Sequence, residues 1–302
     1  MISFAPTMRN LSKLTPIASV FCLFFLLYHI TLTSSIPTRY VPVENITVDC
    51  GSATSGKSKD MYGRDWTGDF QSKFFPREEL NLKSSNSQAS EGIATLAPYT
   101  TARISYSQFT YIFPVTVGPK FVRLHFYPSV YSGFEGSIPF FTVKAGSFTL
   151  LRNFSAIYVD SFQKQIVKEF CINVEKNQKL NLIFIPFSTT SMNLYAFING
   201  IEILSMPKDL YYYNREDRSD EKVPVYVGQS LQFYINYNMA LEKVCQLNVG
   251  GSLVSPTKDI GFFRLWYPDV HYFKSSDVIP HNSTFIPKYL IIKNYTAPDE
   301  AY

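Results

Sequence analysis

The chain has 302 residues, of which 46% are hydrophobic, 17% charged and 16% aromatic. So apolar and weakly charged a chain has the material to bury cores, which excludes intrinsic disorder, and its length predicts roughly two domains. The net charge of +4 includes Arg9 and Lys13; without them the balance is too even for a nucleic-acid partner, which needs a basic stripe or patch.

Arg9 and Lys13 precede the apolar stretch Ile17–Ile30, and the small residues Thr33, Ser34 and Ser35 follow it. A basic start, an apolar middle and a small-residue exit predict a signal peptide over residues 1–35. The alternative is an uncleaved anchor, since the stretch approaches spanning length. Pro16 at its start and the long folded-looking segment behind it favour cleavage. No second apolar run of that length follows, which excludes a polytopic membrane protein. The expected location is therefore the secretory pathway and the extracellular space, or the plasma membrane if an anchor is retained.

Four sequons agree with that route and make Asn45, Asn153, Asn282 and Asn294 candidate N-glycosylation sites. Beyond the signal only Cys50, Cys171 and Cys245 remain, an odd number and too few for a disulfide scaffold. The fold must rest on its apolar core. Cys171, between Phe170 and Ile172, reads as a small buried residue.

Asp49-Cys50-Gly51-Ser52, followed by Gly63-Arg64-Asp65-Trp66-Thr67-Gly68-Asp69, is the first motif to stand out. Arg64 could pair bidentately with an acid, and Trp66 offers a large stacking face with one N–H donor. Sandwiches commonly bury a tryptophan as a core plug, so Trp66 reads as core before ligand platform.

From residue 100 onward the apolar period is two. Phe109, Tyr111, Phe113, Val115 and Val117 share one parity. Val122, Leu124 and Phe126 face one way while Arg123 and His125 face the other, and His125 reads as structural. Phe141 and Val143 lead into the tight Lys144-Ala145-Gly146, then Phe148 and Leu150. Ile166–Val174 and Leu180–Ile185 flank a polar turn and predict a hairpin. Tyr195–Ile198 and Ile201–Leu204 flank Asn199-Gly200, the strongest short hairpin signal, because a type I′ turn needs positive φ at both central residues. Runs of this length with Pro and Gly punctuation predict an all-β fold, an antiparallel β-sandwich over residues 40–207.

Composition changes at Met206-Pro207. The charge-rich Asn214–Lys222 reads as a solvated linker within residues 208–244, with strand-like segments at Val223–Val227 and Leu231–Tyr237. A second module begins in 245–302, where Gln246–Val249 enters Gly250-Gly251. That stretch is shorter than the roughly 100 residues of a complete sandwich, so it supplies the opening part of such a module. Residues 40–207 are expected to fold alone, with 245–302 depending on them or staying loose.

No Gly-rich loop with a strand lysine, catalytic-loop aspartate and Asp-Phe-Gly occurs, nor a Gly-x-Ser-x-Gly elbow or a His-Glu-x-x-His helix. The histidines stand at no metal-ligand spacing, so neither metal nor cofactor is expected. The motifs at 49–52 and 63–69 resemble the plant malectin-like ectodomain of FERONIA-type receptor kinases. The resemblance continues through Thr101–Ile104, Phe109–Val115, Phe121–Pro128, Leu150–Ala156, Lys168–Val174, Ala196–Ile203, Leu247–Gly251, Phe263–Trp266 and Tyr295–Pro298.

The resemblance implies two malectin-like β-sandwich modules in tandem, truncated here before the transmembrane helix and kinase, so that no catalysis resides in this chain. It also implies the partners: a secreted RALF-type peptide, a GPI-anchored LORELEI-like co-receptor, and pectin or another wall glycan. Candidate ligand contacts are Tyr62, Arg64, Trp66, Tyr127 and Tyr131. Two alternatives stay open. One is a secreted carbohydrate-active enzyme using a pair among Asp49, Asp65, Asp69 and Glu135, one of them with a raised pKa. The other is a nonfunctional truncated receptor fragment.

Overall fold

Alternating side chains on paired strands meet, in a computed structural model of the chain, to form a two-layered β-sandwich. The structure describes residues 39–53, 56–70, 72–76, 83–86, 95–158, 165–175, 179–188, 193–208, 210–212, 235, 238–272 and 294–301. The chain divides into Met1–Arg39 and Tyr40–Tyr302, and every element below belongs to the second unit. The expected signal, the charged linker and Asn282 lie outside the described residues, as do the strand-like segments after 222, Ile235 excepted.

In chain order the strands are β1 (Asn45–Asp49), β2 (Lys57–Lys59), β3 (Asp65–Gly68), β4 (Lys83–Asn86), β5 (Thr101–Ser105), β6 (Phe109–Pro114), β7 (Gly118–Phe126), β8 (Ile138–Pro139) and β9 (Phe141–Ala145). They continue with β10 (Phe148–Phe154), β11 (Ile166–Val174), β12 (Lys179–Pro186), β13 (Leu194–Ile198), β14 (Gly200–Ser205), β15 (Leu241–Glu242), β16 (Leu247–Asn248) and β17 (Tyr267–Pro268). No α-helix occurs among the described residues. One sheet has seven strands in the order β15-β11-β7-β14-β1-β3-β2, antiparallel except for the parallel β1–β3 pair. Two four-stranded sheets run β10-β9-β12-β6 and β4-β5-β13-β8, and β16 pairs with β17.

The core lies between these layers. Val122, Leu124 and Phe126 on β7, Phe170 and Ile172 on β11, and Ile201 and Ile203 on β14 meet Phe109, Tyr111 and Phe113 on β6 and Leu182 and Phe184 on β12. Successive side chains of a strand point to opposite faces, so a period of two delivers one face to this core. Phe109 stacks on Phe184 with ring centroids 4.8 Å apart, and such pairs add about 1 kcal/mol beyond their burial. Val115 joins the core, but Val117, past the end of β6, is exposed.

The tight segment 144–146 joins β9 and β10 as an antiparallel pair, with Gly146 at φ +56°. The two expected hairpins are corrected. Ile166–Val174 and Lys179–Pro186 belong to different sheets, β11 pairing with β7 and β12 with β6 and β9. At Asn199-Gly200 the chain also changes sheets, from β13 beside β5 to β14 between β7 and β1.

The residue types there answer a different need from a type I′ turn. The Asn199 side chain ties three segments: its Oδ1 accepts from the Tyr127 amide at 2.7 Å, and its Nδ2 donates to the Thr101 carbonyl at 2.7 Å and to the Tyr131 hydroxyl at 3.0 Å. Gly200 makes room rather than supplying positive φ. A Cβ there would lie 2.5 Å from the Pro98 ring and 2.9 Å from Trp66. Gly200→Ala is therefore expected to cost about 1–3 kcal/mol, read by denaturant unfolding; an unchanged midpoint would show that Pro98 and Trp66 can give way.

The second face of β7 is covered as well. Phe121, Cys171 and Leu204 form a separate cluster with Met206, Leu210, Tyr212 and Phe262, flanked by Tyr40, Ile260, Phe263 and Tyr295. The Tyr40 amide donates to the Ile260 carbonyl at 2.9 Å, and its ring stacks on Phe262. Residues 260–264 and 295 thus form part of the cover on the outer face of the seven-stranded sheet.

Candidate functional site

The β2–β3 turn is built by Asp60. Its carboxylate accepts from the amides of Tyr62 and Arg64 at 2.8 and 2.9 Å and from the Trp66 indole N–H at 3.1 Å. Such local side-chain bonds to the backbone are what make Asp a turn residue. The turn projects Arg64 over the seven-stranded sheet, where it pairs with Glu202, donates to Asn45 Oδ1 at 2.5 Å, and lies 4.2 Å above the Phe263 ring.

Glu202 is the hub of a buried polar network. It receives Arg64, Arg123 Nη1 at 3.1 Å, and His125 Nε2 at 2.7 Å. Arg123 also binds Glu169 and donates from Nη2 to the Phe262 carbonyl at 2.7 Å. His125 Nδ1 meets the Tyr99 hydroxyl at 2.8 Å, and Trp66 packs edge-on against the imidazole. Burial pushes the Glu202 carboxyl up, but the two guanidiniums and the His125 hydrogen bond outweigh it and hold the group well below the usual carboxylate range. Burial and Arg123, with Lys243, set the same balance at Glu169, again downward. Both acids are ionised and occupied, leaving neither free as a catalytic base.

Of the residues singled out in the sequence, Arg64, Trp66 and Tyr127 meet around this network. Tyr127 joins through Tyr99, with ring centroids 6.1 Å apart. Tyr131 is removed by one step, its hydroxyl donating to the Tyr127 carbonyl at 2.6 Å. Trp66, Tyr127 and Tyr131 are all buried, at 1%, 5% and 1% exposure, so their ring faces are taken by protein. Trp66 occupies the core position expected of it. Tyr62 is half-buried at the rim, and burial pushes its hydroxyl upward. His125 holds the structural position its strand predicted.

Glu169, Glu202, Tyr99, Asn199 and Phe263 were not singled out as site residues in the sequence. The signal for the acids was present: Arg123 and His125 interrupt an apolar run on β7, while Glu169 and Glu202 interrupt apolar runs on its two neighbours. Register sets Arg123 directly opposite both acids.

The four acids of the carbohydrate-enzyme alternative do not form one open pair. Asp65 is bound by Lys57 and Lys59 on the surface, and exposed Glu135 caps the Gly133 amide. Asp49 and Asp69 are both buried. Asp69 accepts from Arg103, Tyr111 and the Gly51 amide, while Asp49 accepts from Ser58 and Thr101. No group of three or more His, Cys, Asp or Glu among the described residues could hold a metal. Cys50, Cys171 and Cys245 are unpaired thiols, the last exposed.

Burial raises the Asp49 carboxyl to about 6, with the nearby Asp69 charge adding to it against the Ser58 and Thr101 hydrogen bonds. The folded chain therefore holds this proton more tightly than the unfolded chain, whose carboxyl titrates near 3.8. The resulting stabilisation is full below the unfolded value and lost as pH rises through about 6. Asp49→Asn is expected to remove this slope, so that wild type loses about 2 kcal/mol relative to the variant between pH 4 and pH 7. Urea titrations of both proteins across that range check it; parallel curves would contradict it.

The fold is an antiparallel β-sandwich with a buried polar network under the cover on the outer face of its seven-stranded sheet. The malectin-like domain model matches residues 48–302, and the chain belongs to that family. It is 41% identical to the receptor-like protein kinase FERONIA of Arabidopsis thaliana over 256 residues, 84% of this chain and 27% of the relative. It is 31% identical to the receptor-like protein kinase ANXUR1 of the same plant over 84% of this chain and 28% of that relative. The chain thus spans between a quarter and a third of these relatives.

Among solved structures, the plant receptor-like kinase FER aligns with TM-score 0.71 and 37% identity, covering 86% of this chain and 64% of that one. The complex of plant peptide RALF23 with FER and LLG2 aligns at 0.68 and 37%, with the same coverage. The ANX2 ectodomain from Arabidopsis thaliana aligns at 0.70 and 28%, covering 86% and 64%. The chain corresponds to ectodomain and not to kinase, and no catalytic domain is evident in it. No described helix is long and apolar enough to cross a membrane.

Proposed function

We propose that this chain is an extracellular recognition module of a malectin-like receptor, binding a secreted RALF-type peptide together with a LORELEI-like co-receptor. The observation that carries the reading is the likeness to FER as captured with RALF23 and LLG2, at 37% identity across 86% of this chain. The mechanism is binding by surface loops on a rigid scaffold. Trp66, Tyr127 and Tyr131 act beneath that surface by fixing the loops, and Tyr62 with the outer edge of Arg64 offers accessible contacts at the rim. Residues 40–207 supply the first module, 208–244 the linker and 245–302 the opening of the second. The site of action in this reading is the apoplast, reached through the secretory pathway after loss of residues 1–35.

Pectin is a second partner in this reading, met by charge attraction. The test is binding of the purified chain to a basic RALF-type peptide, with and without the co-receptor, and to pectic oligosaccharides across a salt series. Peptide binding that strengthens with the co-receptor and survives 0.15 M salt supports the proposal. Pectin binding alone, lost steeply with salt, would reduce the function to generic wall attraction.

A further inference from the structure

We infer that Asp49 and Thr101 form a proton-operated latch between two sheets of the sandwich, closed while Asp49 is a neutral acid and loosened when it ionises. Asp49 ends β1 in the seven-stranded sheet, and Thr101 opens β5 in a different sheet. The two sheets approach closely at this corner, since a Cβ on Gly51 would stand 2.3 Å from the Ala102 carbonyl oxygen.

The latch follows from counting donors. Asp49 is 1% exposed, and the charges around it are committed elsewhere. Arg103 of β5 and the Tyr111 hydroxyl of β6 serve Asp69, which stands nearby as a second carboxylate. Lys57 and Lys59 on β2 turn to Asp65, and Cys50 is a buried thiol. Asp49 is therefore left with hydroxyls alone. Ser58 donates to its Oδ2 at 3.0 Å, and Ser52 also reaches the carboxylate. Thr101 has one hydroxyl proton and two acceptors, the Cys50 carbonyl at 2.9 Å and Asp49 Oδ1 at 3.3 Å.

With Asp49 ionised, those two acceptors compete for one proton, and buried acceptors go short only at a cost. With Asp49 protonated, its own O–H donates to Thr101 Oγ1, and Thr101 gives its proton wholly to the Cys50 carbonyl. One proton thus reverses the Asp49–Thr101 hydrogen bond and completes the chain from Asp49 to Cys50. Burial, against the pull of Ser58, places the reversal at about pH 6. Because the folded carboxyl holds its proton above the unfolded value of 3.8, the closed latch is fully favoured in acid and weakens as pH rises through 6. The effect is passed on through Thr101, whose carbonyl accepts from Asn199 Nδ2 at 2.7 Å beside the step from β13 to β14. On the other side it reaches Ser58 on the edge strand β2.

The test compares the full chain with Asp49→Asn, Thr101→Val and Thr101→Ser. Hydrogen exchange, corrected for the intrinsic effect of pH, should find protection of residues 50–52 and 101–103 falling about tenfold between pH 5 and pH 7.5 in wild type. Protection across the β7–β11 pairing should stay level. Asp49→Asn, whose side-chain amide donates to Thr101 at every pH, should hold the acid value throughout. Carbon NMR of the Asp49 carboxyl reads the direction of the bond. Thr101→Val removes the acceptor of the acid form, so the Asp49 midpoint should fall, and Thr101→Ser should restore it. Wild-type protection that is flat with pH, or Asp49→Asn protection that still declines, would overturn the latch. A Thr101→Val midpoint that is unchanged or higher would show that Thr101 serves the ionised form, and would overturn the reversal.

Discussion

Replacing Arg123 with Met is expected to destabilise the chain by about 3–5 kcal/mol, the usual consequence of stripping one partner from buried charges. The side chain lies between Glu169 and Glu202, both nearly inaccessible, and its third contact is the Phe262 carbonyl. Removing it leaves Lys243 with Glu169, and Arg64 and His125 with Glu202, and orphans a backbone acceptor. Denaturant unfolding of the purified variant measures the loss. The triple variant Arg123→Met, Glu169→Gln, Glu202→Gln should recover part of it, because the uncompensated charge is gone. A single variant within 1 kcal/mol of wild type would mean that water reaches these acids. Limited proteolysis adds a second readout: loosening of the Phe262 contact should make residues 254–264 the first to be cut in Arg123→Met.

Gly51→Ala is expected to be at least as damaging, about 3 kcal/mol or more, from two independent sources. The residue sits at φ +85°, where a side chain is strained by about 1–2 kcal/mol. A Cβ would also stand 2.3 Å from the Ala102 carbonyl oxygen. That oxygen belongs to the backbone of β5, inside a paired sheet, and no rotamer can relieve the contact. The neighbouring Gly51 amide donates to Asp69, which clamps Arg103 and Tyr111, so any shift of the turn spreads through that buried group. Thermal unfolding followed by near-ultraviolet dichroism would register it. A melting temperature within two degrees of wild type would rule out the steric account.

Much of the sandwich was legible because a half-buried strand writes its orientation into every second residue. Val122, Leu124 and Phe126 against Arg123 and His125 gave the two faces of β7 correctly. What that alternation could not say is that the polar face would also be covered, since the cover comes from residues distant in sequence, Tyr40, Tyr212 and Phe262 among them. The Asn199-Gly200 signal misled for a related reason. A hairpin and a step between layers both want a small residue beside an amide, and the choice depends on Pro98 and Trp66, which are distant in sequence. The network at Glu202 was legible in outline, as complementary charges on strands that prove adjacent. Its assembly required the strand order, which periodicity does not contain. Trp66 was legible as core from its sequence, whereas Tyr131 was recognisable only as a large aromatic residue, and the fold places it beneath the surface.

The crossing at Asn199 also has a mechanical meaning. Because β13 runs directly into β14, one covalent step joins the two layers, and the Asn199 amide fastens that step to Thr101 and Tyr127. A pull applied along β14 is therefore passed to β13 through the chain itself as well as through the packing between the layers.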